Sequence, residues 1–67
     1  MAISYNGLWK FLIDKGMKKL ELKDRIGIST GTLAKLSKNE YVALSVLERI
    51  CEGMDCQIGD IVEYVKK

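Results

Sequence analysis

The chain has 67 residues, 48% apolar and 30% charged, the make-up of one small globular domain whose modest core needs every apolar stripe it has. No apolar run approaches the roughly 20 residues of a membrane span, and Met1–Gly7 lacks the basic start and apolar block of a signal peptide, so a cytoplasmic chain is expected. The net charge of +2 is unevenly spread. Residues 1–38 hold eight cations and three anions (+5), and residues 39–67 hold three cations and six anions (−3). The split fits one face meeting phosphates and another turned away, and it fits an ordinary solvated surface too.

Apolar positions recur at helical spacing along the whole chain, with no proline and no low-complexity stretch to mark a linker. The first helix is expected over about 5–15, with Leu8, Phe11 and Leu12 as its stripe, Trp9 and Ile13 widening it, Ser4 as candidate cap and Gly16 as its stop. A second short helix over about 19–26 buries Leu22 and Ile26, and Gly27 makes a turn. Ser29 caps a third helix over about 30–37. The polar segment 37–44 is read as a loop anchored by Tyr41 and Val42. A fourth helix starts at Leu44 or just after, with the stripe Leu44, Leu47, Ile50, Cys51, Met54; Ser45 and Glu48 match a capping box, so its start is ambiguous by about two residues. A fifth over about 58–65 carries Ile58, Ile61, Val62 and Val65 on one face. No segment alternates strictly enough for a strand, so the expectation is an all-α, compact five-helix bundle.

Catalysis finds little support. Without histidine there is no ordinary Ser/His or Cys/His pair, and no phosphate-cradling loop of the P-loop type is present. Cys51 and Cys56 alone do not fill a zinc site, which wants four ligands, and they read as small packing residues, reduced in a cytosolic protein. No catalytic residue, metal, cofactor or small-molecule ligand is expected.

The segment Gly27–Leu36 carries the most information. Ile28, Leu33 and Leu36 can face a core while Thr30, Gly31, Thr32 and Lys35 face outward. Small, polar and cationic groups on a protruding helix suit the major groove of DNA. With residues 18–25 as the preceding helix, this is the outline of a helix-turn-helix.

On these residues the chain resembles the Cro/repressor-type (Cro/CI-type, XRE-like) helix-turn-helix regulators of bacteria and phages, over residues 8–65. It looks closest to the very small members that are little more than the DNA-binding domain. Leu22, Ile26, Ile28, Leu33 and Leu36 match the core positions of the motif, and Gly27 matches its turn glycine. There are departures. Lys23 stands where the family usually has a small residue, and must bend outward. Lys18 and Lys19 replace the usual threonine or serine cap and the glutamine after it. Ala43 replaces a common serine cap, and Asp55 a common glycine.

The resemblance implies a lambda-repressor-like fold, a single DNA-binding domain over 1–67 and a motif over about 19–37. It implies base contact by Thr30, Gly31, Thr32 and Lys35, and phosphate contact by Lys18, Lys19, Ser29, Lys38 and Asn39. The leading expectation is sequence-specific double-stranded DNA binding by a transcriptional regulator, with repression by blocking polymerase favoured over ligand-switched control and the sign not decided by the sequence. A homodimer on two half-sites suits so small a reader, with Tyr64 and Val65 either at a dimer contact or closing the core. Two other readings stand beside it: a protein-interaction module that kept the fold without DNA binding, and the DNA-binding partner of another protein such as a toxin.

Overall fold

The computed structural model describes residues 3–66. A two-residue strand β1 (Ile3–Ser4) leads into α1 (Asn6–Asp14), followed by α2 (Lys19–Ile26), α3 (Thr30–Ser37), α4 (Leu44–Met54), a single-turn α5 (Ile58–Ile61) and a second short strand β2 (Glu63–Tyr64). Four of the helices fall where the periodicity predicts them, the fifth starts there but ends early, and the five-helix bundle stands. Among the described residues, no helix is long and apolar enough to cross a membrane.

One core serves all five helices. Tyr5, Leu8, Leu12, Leu22, Ile28, Leu33, Leu36, Leu47, Ile50, Met54 and Ile61 form it, with Trp9, Phe11, Ile26 and both cysteines packed half-buried around it. Ile13 stays outside at 76% exposure. It lies about 100° round the helix from Leu12, past the edge of the stripe it was expected to widen. Leu44 is 68% exposed, because the first residue of α4 projects beyond the end of the core that Leu47, Ile50 and Met54 enter. Tyr41 is exposed as well, so Val42 alone anchors the loop.

The helix ends share one device. After α1 the Gly16 amide donates to the Ile13 carbonyl (3.0 Å) and the Met17 amide to the Leu12 carbonyl (2.9 Å), a Schellman motif with Gly16 at φ 65°. The same left-handed stop recurs at Gly27, Asn39 and Asp55, with φ of 72°, 58° and 53°. Ser4 lies one residue before the N-cap position and its Oγ accepts the Asn6 amide at 3.2 Å. Ala43 offers no side-chain cap to α4, as its methyl dictates.

The fifth helix is a correction. It ends after Ile61, and Val62 is already extended (φ −134°, ψ 142°). β2 then pairs antiparallel with β1, Ile3 opposite Tyr64 and Ser4 opposite Glu63. Val62, Tyr64 and Val65 are branched or aromatic residues that fit a pleated backbone, and the segment before α1 supplies an open edge for them. Ile61 is fully buried, Val62 half-buried, and Ile58 and Val65 are 43% and 41% exposed, so the single apolar face expected for 58–65 does not form.

Two glycines set how closely helices approach. A Cβ on Gly7 of α1 would lie 2.5 Å from the Asp60 carbonyl oxygen of α5, and one on Gly53 of α4 would lie 2.8 Å from Cγ2 of Ile26 in α2. Gly59, by contrast, faces open space. Gly7→Ala should therefore lower the unfolding free energy by about 1–3 kcal/mol through overpacking against backbone. Gly59→Ala should leave it unchanged or raise it by up to about 1 kcal/mol by restricting the unfolded chain. Urea unfolding of the two variants checks this, and equal effects would show that Gly7 is not a contact residue.

Candidate nucleic-acid interface

The motif is built by α2, a turn and α3. The Lys23 carbonyl accepts both the Gly27 amide (2.9 Å) and the Ile28 amide (3.2 Å), which closes α2 and turns the chain. Ile28 is buried in the angle between the helices. Ser29 then caps α3: its Oγ accepts the Thr32 amide at 3.1 Å, leaving the side chain of α3's first residue free.

Leu33 and Leu36 turn to the core, and most of the rest of α3 faces out. Thr30, Gly31, Ala34 and Lys35 are exposed and Thr32 is half-buried. Their chemistry differs. Thr32 shares a 3.0 Å hydrogen bond between its hydroxyl and that of Ser29, which orients both side chains. A Cβ on Gly31 would meet only Ser29 Oγ, at 3.8 Å, so packing within the protein does not demand glycine there. Lys35 stands exposed on the last turn of α3, where the helix dipole favours a cation.

The residues expected at phosphates fall in two places. Ser29 is at the start of α3. Lys18 and Lys19 open α2, and Lys38 and Asn39 follow α3 at its other end. The second group is drawn together: Lys19 Nζ lies 3.4 Å from Ser37 Oγ, next to Lys38, and 4.2 Å from the centroid of the Trp9 ring. The absent cap at Lys18 is partly replaced by Glu21, whose carboxylate accepts the Lys18 amide at 3.4 Å. Lys23 is half-buried, its side chain 26% exposed, with its ammonium 3.7 Å from Asp24.

Asn39 has a structural task that the sequence pattern did not reveal. It closes α3 in a left-handed conformation, with the Asn39 amide donating to the Leu36 carbonyl (3.3 Å) and the Glu40 amide to the Lys35 carbonyl (2.9 Å). Its side-chain Oδ1 accepts the Tyr5 amide at 3.1 Å, and the Tyr5 hydroxyl donates to the Glu40 carbonyl at 2.7 Å. Tyr5 is 2% exposed. One buried ring thus ties the start of α1 to the end of α3. The only sequence signal was an aromatic beside a helix start and an asparagine, the non-glycine residue that best tolerates positive φ, after a helix end.

The cysteines pack at the α4–α5 junction, half-buried, where the Cys56 amide donates to the Cys51 carbonyl at 3.1 Å. Burial, with Cys51 beside it, pushes the Cys56 thiol up to about 11. It stays protonated at neutral pH, the state of a packing residue rather than a nucleophile.

This is the architecture of a helix-turn-helix regulator. Residues 7–67 match the family model of the Cro/C1-type HTH DNA-binding domain. The chain is 42% identical over 66 residues to the uncharacterised HTH-type transcriptional regulator YozG of Bacillus subtilis (strain 168), covering 96% of this chain and 77% of that one. It is also similar to the transcriptional regulator VanUg in its form II crystal structure, at 53% identity with a TM-score of 0.95, covering 98% of this chain and 88% of the other. The chain belongs to the Cro/C1-type helix-turn-helix DNA-binding family.

The Tyr5 clamp yields an ordered set of stabilities. Tyr5→Phe should cost about 1 kcal/mol, the net value of one hydrogen bond. Asn39→Gly loses the side-chain acceptor but keeps the left-handed stop; Asn39→Ala loses both and should cost about 1–2 kcal/mol more. Urea unfolding ranks them, and an alanine variant as stable as the glycine one would remove the backbone argument. Burial also raises the Tyr5 hydroxyl above its usual range. Its contribution is therefore complete below about pH 10 and is lost as pH rises through the higher folded value. Tyr5→Phe should flatten that alkaline loss.

Proposed function

We propose that this regulator binds double-stranded DNA by inserting α3 in the major groove, with residues 1–67 acting as one DNA-binding domain and the motif over about 19–37. The observation that carries this reading is the outward face of α3. Thr30, Gly31 and the half-buried Thr32 lie on its first turn, and exposed Lys35 lies one turn further, on the side away from Leu33 and Leu36. Lys35 reaches a guanine O6 or N7. The two threonines touch a base, a thymine methyl or a phosphate, and Gly31 permits close approach. Lys18, Lys19, Ser29, Lys38 and Asn39 hold the flanking phosphates. For Asn39 the amide nitrogen is the group that serves, since Oδ1 already accepts from Tyr5.

Occupying an operator blocks polymerase, so we infer repression. A reader with so few base contacts gains affinity from a second copy on an adjoining half-site. Tyr64 and Val65 are exposed at 71% and 41%, which supports their assignment to a dimer contact rather than to core closure.

Selection of bound sequences from a random duplex pool tests the whole reading. A defined motif is expected, palindromic for a dimer. Affinity that is weak at low salt and insensitive to salt would instead place the chain among interaction modules that kept the fold. Within the selected site, Lys35→Ala should relax preference at one base pair by about 1–3 kcal/mol while other positions keep theirs. Binding to a panel of single-base operator variants reads this. A uniform fall in affinity would make Lys35 a phosphate anchor and leave reading to Thr30 and Thr32.

A further inference from the structure

The first turn of α2 is chemically odd. Lys18 and Lys19 put two cations where the helix dipole presents positive charge, a placement unfavourable to the isolated helix that Glu21, the one acidic residue of that turn, only partly offsets. An anion seated there reverses the sign of that interaction, because it meets the dipole and the ammonium groups together. Lys19 is exposed and at no carboxylate; among the described residues the one ion pair joins Lys23 to Asp24. The Lys19 side chain is nevertheless held, because Nζ sits 4.2 Å from the centroid of the Trp9 ring of α1 and 3.4 Å from Ser37 Oγ at the end of α3. One ammonium therefore joins three helices.

We propose that Trp9 is a positioning residue for DNA binding: its ring holds the Lys19 ammonium at the α1–α2–α3 junction, preset for a backbone phosphate. This rests on the reading of Lys19 as a phosphate contact. An exposed lysine loses rotamer freedom when it grips a ligand. The negative face of the indole removes part of that loss in advance, since it draws the cation to one place. Of the three ammonium donors, Ser37 takes one and the ring face attracts the side next to it, which leaves a donor for a phosphate oxygen without breaking either contact. Lys38 follows Ser37 directly in the chain and is exposed.

The experiment is a duplex-binding titration of the full chain at several salt concentrations, on the selected operator and on random duplex. Lys19→Ala is expected to weaken both and to lower the magnitude of the salt slope by about one. Trp9→Leu is expected to weaken both about two- to fivefold with the slope unchanged, and Trp9→Phe, which keeps a weaker π face, less. In the Lys19→Ala background Trp9→Leu should have no further effect. Trp9 is the only tryptophan, so its emission in the otherwise unmodified chain should change on adding DNA and should not change in Lys19→Ala, a readout free of any folding defect from replacing the ring. The same Trp9→Leu loss with and without Lys19, or an equal emission change in Lys19→Ala, makes Trp9 a packing residue only and overturns the proposal. Unaltered affinity and slope in Lys19→Ala removes the phosphate reading itself, and the proposal with it.

Discussion

Behind α3 the chain must reverse within a few residues, and the fold depends on how Asn39 achieves this. Its left-handed backbone ends the helix, and its side chain accepts the Tyr5 amide. The Tyr5 hydroxyl then satisfies the Glu40 carbonyl inside the turn. One such hydrogen bond contributes about 1 kcal/mol net, a noticeable part of the stability of so small a domain. The clamp also fixes the far end of α3 against α1, so the face carrying Thr30 and Lys35 is oriented by covalent and hydrogen-bonded constraints at both of its ends: Ser29 at one, Asn39 at the other.

The rest of the domain is organised to keep α3 in place with few atoms. Gly7 lets α1 lie against the backbone of α5, and Gly53 lets α4 lie against Ile26 of α2. Close backbone approach brings Leu22, Leu36 and Ile50 together at complete burial. The β1–β2 pair closes the bundle by joining the segment before α1 to the segment after α5. The basic residues of the first 38 positions then fall on or directly beside α1, α2 and α3, the last two forming the motif, while the acidic excess lies after α3. This arrangement gives the charge asymmetry of the sequence a spatial meaning, since cations gathered around one motif raise affinity for phosphates irrespective of base sequence.

Much of this is legible in the sequence itself. Helix positions followed from apolar spacing, because burying Leu8 with Leu12 or Leu33 with Leu36 requires the 3.6-residue period. The α2–α3 turn followed from Gly27, the cap from Ser29, and the outward set Thr30, Gly31, Thr32 and Lys35 from the positions left once Leu33 and Leu36 were turned inward. These are local properties, set within one or two helical turns. What the sequence could not supply depends on residues far apart in the chain. Glu63–Tyr64 is a strand because β1 lies beside it, some 60 positions earlier. Asn39 holds Tyr5 across 34 positions, and Lys19 meets Ser37 across 18. Ile13 and Leu44 are exposed because the core ends before it reaches them. Periodicity specifies which side of a helix is apolar, whereas only packing decides which neighbours come within hydrogen-bonding distance and where the interior stops.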